Sequence, residues 1–189
     1  MQGNKRTEMF SYFYPKFWAK SAYCINYRVL YEKGFRGLIF DIDNTLVPHN
    51  APPDEKSIAL MQELKKIGFQ IMTVSNNHEP RVRGLAEKLG IGYICDAHKP
   101  APGGYRLACR KMETVPRETA CIGDQLFTDV LGANRAGIYS ILVTPVDRST
   151  DIFRIRVKRK LEASVLREFL RKKGKNQFNF SEKHPHAQK

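Results

Sequence analysis

From residue 37 onward, short apolar runs alternate with stretches of helical period, and glycine or proline marks most of the switches. Gly37–Phe40 is an apolar run that ends in an acid, Asp41, with Ile42 and a second acid, Asp43, after it, which predicts a strand buried on both faces, about 37–42. Pro52-Pro53 then introduces a helix from about Asp54 to Ile67, stopped by Gly68. A second strand, about 69–74, ends at Ser75-Asn76-Asn77. A helix from about Glu79 or Pro80 to Leu89 stops at Gly90, and a short strand follows at about 92–95. The next helix is predicted over about 102–113, a strand over 119–122, a helix over 128–136 closed by Gly137, and a strand over 138–143 stopped by Pro145. Five strands with four intervening helices predict an α/β fold: a doubly wound, Rossmann-like, mainly parallel sheet with right-handed crossovers.

The ends follow other patterns. Residues 1–36 are crowded with aromatics, and Phe10, Phe13, Tyr14, Phe17 and Trp18 recur near helical spacing with Pro15 suited to a first turn. The reading is an aromatic, basic helical segment packed on or flanking the domain, or lying at an interface with headgroups. Residues 152–173 read as a basic amphipathic helix: Val157, Leu161, Val165 and Phe169 are spaced by four, among Arg156, Arg159, Lys160, Arg167 and Arg171. Residues 174–189 are polar and read as a disordered tail. The organisation expected is thus 1–36, a catalytic domain over 37–147, a helix within 148–173, and the tail.

Four predicted strand ends carry polar groups, and a parallel sheet brings such ends to one edge. They are Asp41 and Asp43, then Ser75 and Asn76, then Lys99 after the third strand, then Asp124 with Asp129 five residues on. Phosphate-ester hydrolysis gives all of them work. A carboxylate, Asp41, can attack phosphorus and split one hard step into two. Asp43 can act as general acid and then general base. Mg²⁺, which takes oxygen ligands, suits Asp41, Asp124 and the Asp43 backbone carbonyl. Ser75, Asn76 and Lys99 suit the phosphoryl oxygens, Lys99 as a fixed positive charge. Asp129 is expected to orient the metal shell or Lys99 rather than to bind metal itself.

These motifs resemble those of the haloacid dehalogenase (HAD) superfamily phosphatases. Phe40-Asp41-Ile42-Asp43-Asn44-Thr45-Leu46 resembles the first motif, Ser75 the second, Lys99-Pro100 the third, and Gly123-Asp124 with Asp129 the fourth. Ser75-Asn76-Asn77 and the run Gly123–Val130 resemble the class IIIA, YqeG-like branch. The resemblance implies a HAD-like fold, Mg²⁺ dependence, an aspartyl-phosphate on Asp41, and kinship with phosphatidylglycerophosphate phosphatases. Gln125 stands where many relatives outside that branch have a second acid. Only Val47 to Gln70 separates the first two motifs, and Asn77 to His98 leaves room for one helix and a short strand. No cap domain fits either gap, so an open site is expected.

Charge sharpens the substrate question. The chain carries +13, with +5 in residues 1–36, −1 in 37–147 and +9 in 148–189. Basic ends suit a polyanion, either an anionic membrane surface or nucleic acid. The first expectation is a phosphomonoesterase acting on a lipid headgroup phosphate such as phosphatidylglycerophosphate. The alternatives are a phosphatase of nucleic-acid ends, phosphoproteins or a small phosphometabolite, and a non-catalytic nucleic-acid-binding protein on a phosphatase scaffold. Cys24, Cys95, Cys109 and Cys121 lack zinc-type or paired spacing, which fits free thiols in a reducing compartment. With no apolar run of membrane-spanning length and no signal-like start, the expected place is the cytoplasm, peripheral on the inner face of the membrane.

Overall fold

The computed structural model describes residues 12–147, 149 and 153–173. Phe10 of the aromatic segment and the tail over 174–189, expected to be disordered, lie outside the described residues. Six parallel strands form one sheet: β1 (Phe17–Ala19), β2 (Gly37–Phe40), β3 (Gln70–Val74), β4 (Gly92–Ile94), β5 (Thr119–Gly123) and β6 (Tyr139–Val143). Their order across the sheet is β1-β6-β5-β2-β3-β4. The helices are α1 (Tyr27–Glu32), α2 (Glu55–Ile67), α3 (Glu79–Leu89), α4 (Pro102–Lys111), α5 (Leu131–Ala136) and α6 (Phe153–Lys173).

The apolar run at Leu38-Ile39-Phe40 builds the middle of this sheet, and each of its side chains is essentially sealed from water. Leu38 and Phe40 face a core shared with Tyr27 and Leu30 of α1, Met61 and Leu64 of α2, and Leu85 and Leu89 of α3. Ile39 faces the opposite core, with Tyr105 and Ala108 of α4 and Ala133 and Ala136 of α5. Alternation along one strand therefore fills two helical layers, and burying each large side chain is worth about 1.5–3 kcal/mol. Local signals set the helix ends. Asp54 accepts from the Ser57 N–H at 2.8 Å while Ser57 Oγ accepts from the Asp54 N–H at 3.0 Å, a reciprocal cap at the start of α2. Gly68 ends that helix at φ +113°, a conformation glycine adopts without strain.

Two expectations need correction. The sheet has six strands, not five, and the sixth comes from the segment expected to be helical: Phe17–Ala19 pairs in parallel with Ile141–Val143. Phe17 and Ala19 are buried and Trp18 is half-buried, a period of two. Over three residues that period and the helical one are hard to tell apart, and the open edge of β6 decides between them; Lys16 N–H extends the ladder to Ser140 O at 3.0 Å. The aromatics before it pack inward, Phe13 edge-on to Phe127 and Tyr14 against Phe169 of α6. The second correction is the buried face of α6. Phe169 is buried, and Val165 and Leu166 pack over Leu126, Val130 and Leu142. Leu161, expected on that stripe, is 59% exposed, while Glu162 is only 5% exposed.

Candidate active site

Register carries the predicted residues to one level. Phe40 lies opposite Thr73 on one side and Ile122 on the other. Asp41, Ser75 and Asp124 therefore leave the sheet together. β2 and β5 are adjacent although β3 and β4 intervene in sequence, so the strand order reverses between them, where open α/β sheets form their crevice. The Val47–Gln70 gap contains only α2, and Asn77–His98 only α3 and β4, so among the described residues no cap domain covers this edge.

Lys99 is the hub. Its Nζ donates to Asp41 Oδ1 at 2.7 Å and to Asp129 Oδ1 at 2.8 Å, with its side chain 6% exposed. Burial works against its charge, but Asp129 and Asp41 outweigh it and hold the ammonium well above its ordinary value. The Asn76 amide clasps the Lys99 backbone, accepting from its N–H at 2.6 Å and donating to its carbonyl at 3.2 Å. The observed partner of Asn76 is thus the loop that carries the lysine.

Asp41, Asp124 and Asp129 each offer a carboxylate oxygen within 4.8 Å of the others. Burial pushes the Asp41 carboxyl up to about 8; Lys99 opposes this, and Asp129 and Asp124 add to it. Burial and Asp129 likewise raise Asp124 to about 6, against Arg159. Three acids share two cations, Lys99 and Arg159, so the cluster has the sign and the hard oxygen donors that suit Mg²⁺. Asp129 sits on a π-type turn, Leu126–Val130, and its Oδ2 accepts from the Gln125 N–H at 3.0 Å. That tight fold depends on Gly123: a Cβ there would lie 2.4 Å from Asp129 Cβ and 2.5 Å from its Oδ2. Gln125, the position lacking the second acid, lines the cleft and accepts from Thr128 Oγ1 at 3.3 Å.

Asp43 stands apart from that cluster. Its Oδ1 accepts from Arg81 at 2.7 Å and from the Asn50 N–H at 3.0 Å, and its Oδ2 accepts from Asn77 at 3.1 Å. His49 Nδ1 lies 3.8 Å away. Ser75 Oγ accepts from the Asn77 N–H at 3.1 Å. Asp41, Asp43, Ser75, Asn76 and Lys99 line one cleft of about 140 Å³. A larger groove, about 720 Å³ along β4, holds none of them.

Sequence reasoning missed Arg81, Asn77 and His49 as partners of Asp43. Arg81 had a readable signal, since the first turn of a helix that starts at the site edge points back toward it. It also missed the contacts made by α6. Arg159 donates to Asp124 Oδ2 at 2.6 Å, an ion pair with 14% and 0% of the two side chains exposed. Removing one partner of such a buried pair costs about 3–5 kcal/mol. Thr45 Oγ1 reaches Asp124 Oδ1 at 3.5 Å.

Comparison with known proteins agrees with this geometry. Residues 47–137 match the haloacid dehalogenase-like hydrolase family. The chain is 40% identical to "Probable phosphatase YqeG" of Bacillus subtilis over 85% of its own length and 94% of the relative. It is 30% identical to "Phosphatidylglycerophosphate phosphatase 1, chloroplastic/mitochondrial" of Arabidopsis thaliana over 78% of its own length, but spans only 45% of that protein. Among solved structures, a hypothetical protein from Xanthomonas campestris is similar in fold, with a TM-score of 0.50 at 14% identity, covering 69% of this chain and 72% of that one. Family match, YqeG-like relative and strand-edge constellation agree: the chain belongs to the haloacid dehalogenase-like hydrolases, as a phosphatase of the YqeG-like branch.

Proposed function

We propose that this phosphatase is a Mg²⁺-dependent phosphomonoesterase that works through an aspartyl-phosphate on Asp41 and acts on a lipid headgroup phosphate such as phosphatidylglycerophosphate. The observation that carries the chemistry is the Asp41–Asp124–Asp129 cluster bound to Lys99 at an uncapped sheet edge. Asp41, Asp124 and the Asp43 carbonyl would hold the metal. Mg²⁺ supplies charge that offsets repulsion between Asp41 and a phosphate dianion and polarises the phosphoryl group. Asp41 attacks phosphorus, and the bond to the leaving oxygen breaks. Asp43, oriented by Arg81 and Asn77, gives that oxygen its proton and later takes one from the water that cleaves the acyl phosphate. Lys99 holds its charge beside the transferring group, where negative charge spreads over the equatorial oxygens. Ser75 donates to a phosphoryl oxygen. Asn76 keeps Lys99 in place and leaves its remaining amide hydrogen for the phosphate. Asp129 orients Lys99.

The lipid reading is supported by three features. The cleft lacks a cap among the described residues, which admits a phosphate carried on something large. Lys160, Leu161 and Arg167 are exposed on α6, and Val146 is 45% exposed just beyond β6, on the edge that carries the site. Basic residues with isolated apolar side chains suit an anionic interface. The relative from Arabidopsis carries a matching name. No helix among the described residues is long and apolar enough to cross a membrane; the lipid reading takes contact with the bilayer to be peripheral, on the cytoplasmic face.

Asp41→Asn is expected to abolish Mg²⁺-dependent hydrolysis of an aryl phosphate; retained activity refutes the mechanism. Phosphate release from phosphatidylglycerophosphate, measured beside sugar phosphates, nucleotides, phosphopeptides and phosphorylated RNA ends, decides the substrate, and faster release from any of the others refutes the lipid reading. Sedimentation with anionic but not neutral vesicles is expected, and equal binding to both counts against the membrane.

A further inference from the structure

α6 grips the segment after β5 at two polar points, beside the apolar packing of Val165 and Leu166 on Leu126 and Val130. Arg159 donates one terminal nitrogen to Asp124 Oδ2 at 2.6 Å and directs the other toward the carbonyl of the same residue at 3.4 Å. One guanidinium thus spans the side chain and main chain of one acid, while Thr45 approaches the other carboxylate oxygen. Three residues further along the helix, Glu162 accepts from the Phe127 N–H at 3.0 Å, inside the turn that carries Asp129. The same helix face holds both halves of the 124–130 segment.

The orientation of the helix says what these contacts are for. Glu162 is buried on this face, whereas Leu161, one position before it, is 59% exposed. The helix takes the rotation that brings Arg159 and Glu162 to the loop. Val165, Leu166 and Phe169 pack inward in that rotation and fix it.

We infer that Arg159 is a positioning residue for Asp124, which makes α6 a working part of the metal site and not a peripheral brace. The inference rests on the reading above that Asp41 and Asp124 hold Mg²⁺. Mg²⁺ demands near-octahedral geometry, so a carboxylate free to swing holds it poorly. Loss of a hydrogen-bond partner of a ligating carboxylate typically lowers metal affinity about 10–100-fold.

The test is calorimetric titration of the full chain with Mg²⁺, a readout independent of turnover, with circular dichroism to check the fold. Arg159→Gln is expected to bind Mg²⁺ about 10–100-fold more weakly than wild type. Arg159→Lys, which keeps the charge but loses the fork, should fall between them. Arg117→Gln, exposed just before β5, should match wild type. Unchanged or tighter binding by Arg159→Gln overturns the inference and makes the arginine a neutralising charge only. If Arg159→Gln does not fold, Arg159→Lys decides, and wild-type affinity there overturns it. A wild type that binds no Mg²⁺ overturns the metal reading and this inference with it, a result distinct from equal binding by wild type and variant.

Discussion

Replacing Gly123 with alanine adds a single methyl group at the point where the site is most tightly folded. The new Cβ would lie 2.4 Å from Asp129 Cβ, 2.5 Å from its Cγ and 2.5 Å from its Oδ2. Ordinary contact begins near 3.4 Å, so Asp129 must retreat by about 1 Å. Its carboxylate is held at both oxygens, by Lys99 at 2.8 Å and by the Gln125 N–H at 3.0 Å, and a shift of that size breaks or stretches both. Hydrogen bonds to charged groups are each worth about 1.5–3 kcal/mol, and overpacking a tight site costs about 1–3 kcal/mol. Because these terms overlap, the expected net loss is about 2–4 kcal/mol, or roughly 5–15 °C in Tm for a chain of this size. The catalytic loss should be of similar size. Lys99 loses one of its two anchors, and a displacement of about 1 Å at a reacting group can cost about 10²-fold. Thermal unfolding reads the first quantity, and kcat on an aryl phosphate, below the unfolding range, reads the second. A folded Gly123→Ala protein with kcat within about threefold of wild type would refute the claim that this close approach sets Asp129 and, through it, Lys99.

Further predictions concern the acid and the metal. Arg81→Gln removes the cationic donor from Asp43 Oδ1, so kcat/KM, which reports phosphoryl transfer to Asp41 and not the shared hydrolysis step, should fall about 10–100-fold for an alkyl phosphate and much less for p-nitrophenyl phosphate, whose leaving group needs little protonation; equal losses in kcat/KM refute a role of Asp43 as the acid. Burial and neighbouring acids raise Asp41 to about 8 and Asp124 to about 6, so the metal-free folded chain holds protons that the unfolded chain releases above about pH 4. In EDTA, Tm should therefore fall as pH rises from 5 to 8, whereas stabilisation by Mg²⁺, which competes with those protons, should grow over the same range; a Mg²⁺ effect that is the same at both pH values refutes this.

The sheet and the gathering of Asp41, Ser75, Lys99, Asp124 and Asp129 at its edge were legible because both follow short-range rules. Near-continuous apolar runs, caps and glycine stops mark the strands of the middle region, and a parallel sheet converts four strand ends into one edge wherever they fall in sequence. What escaped reading depends on long-range pairing. Phe17–Ala19 is a strand because β6 offers it an edge, a fact absent from its own sequence. Arg159 and Glu162 escaped because amphipathicity counts apolar positions, and on that count Leu161 belongs inside. The buried face is offset from that count toward Glu162 and Leu166, and it also meets two polar partners 35 residues upstream, at Asp124 and Phe127. A pair of opposite charges three apart on a helix is usually a solvated i,i+3 contact; here both members face protein.

The charge count at the site explains why that inward residue is an arginine. With all three acids ionised, Asp41, Asp124 and Asp129 against Lys99 and Arg159 leave one negative charge over. A divalent cation turns that into one positive charge, and a dianionic phosphate returns it to one negative. Without Arg159 the loaded site would carry two, in a place where burial already raises Asp41 and Asp124. The cation must also keep its charge when buried, which a guanidinium does and an ammonium does less securely. On the lipid reading the same helix has a second electrostatic task. Residues 148–189 carry +9, which suits attraction to an anionic bilayer. Placing one arginine of α6 on Asp124 and exposing Lys160 and Arg167 lets a single element neutralise the cluster and draw the cleft toward the surface that would present its substrate.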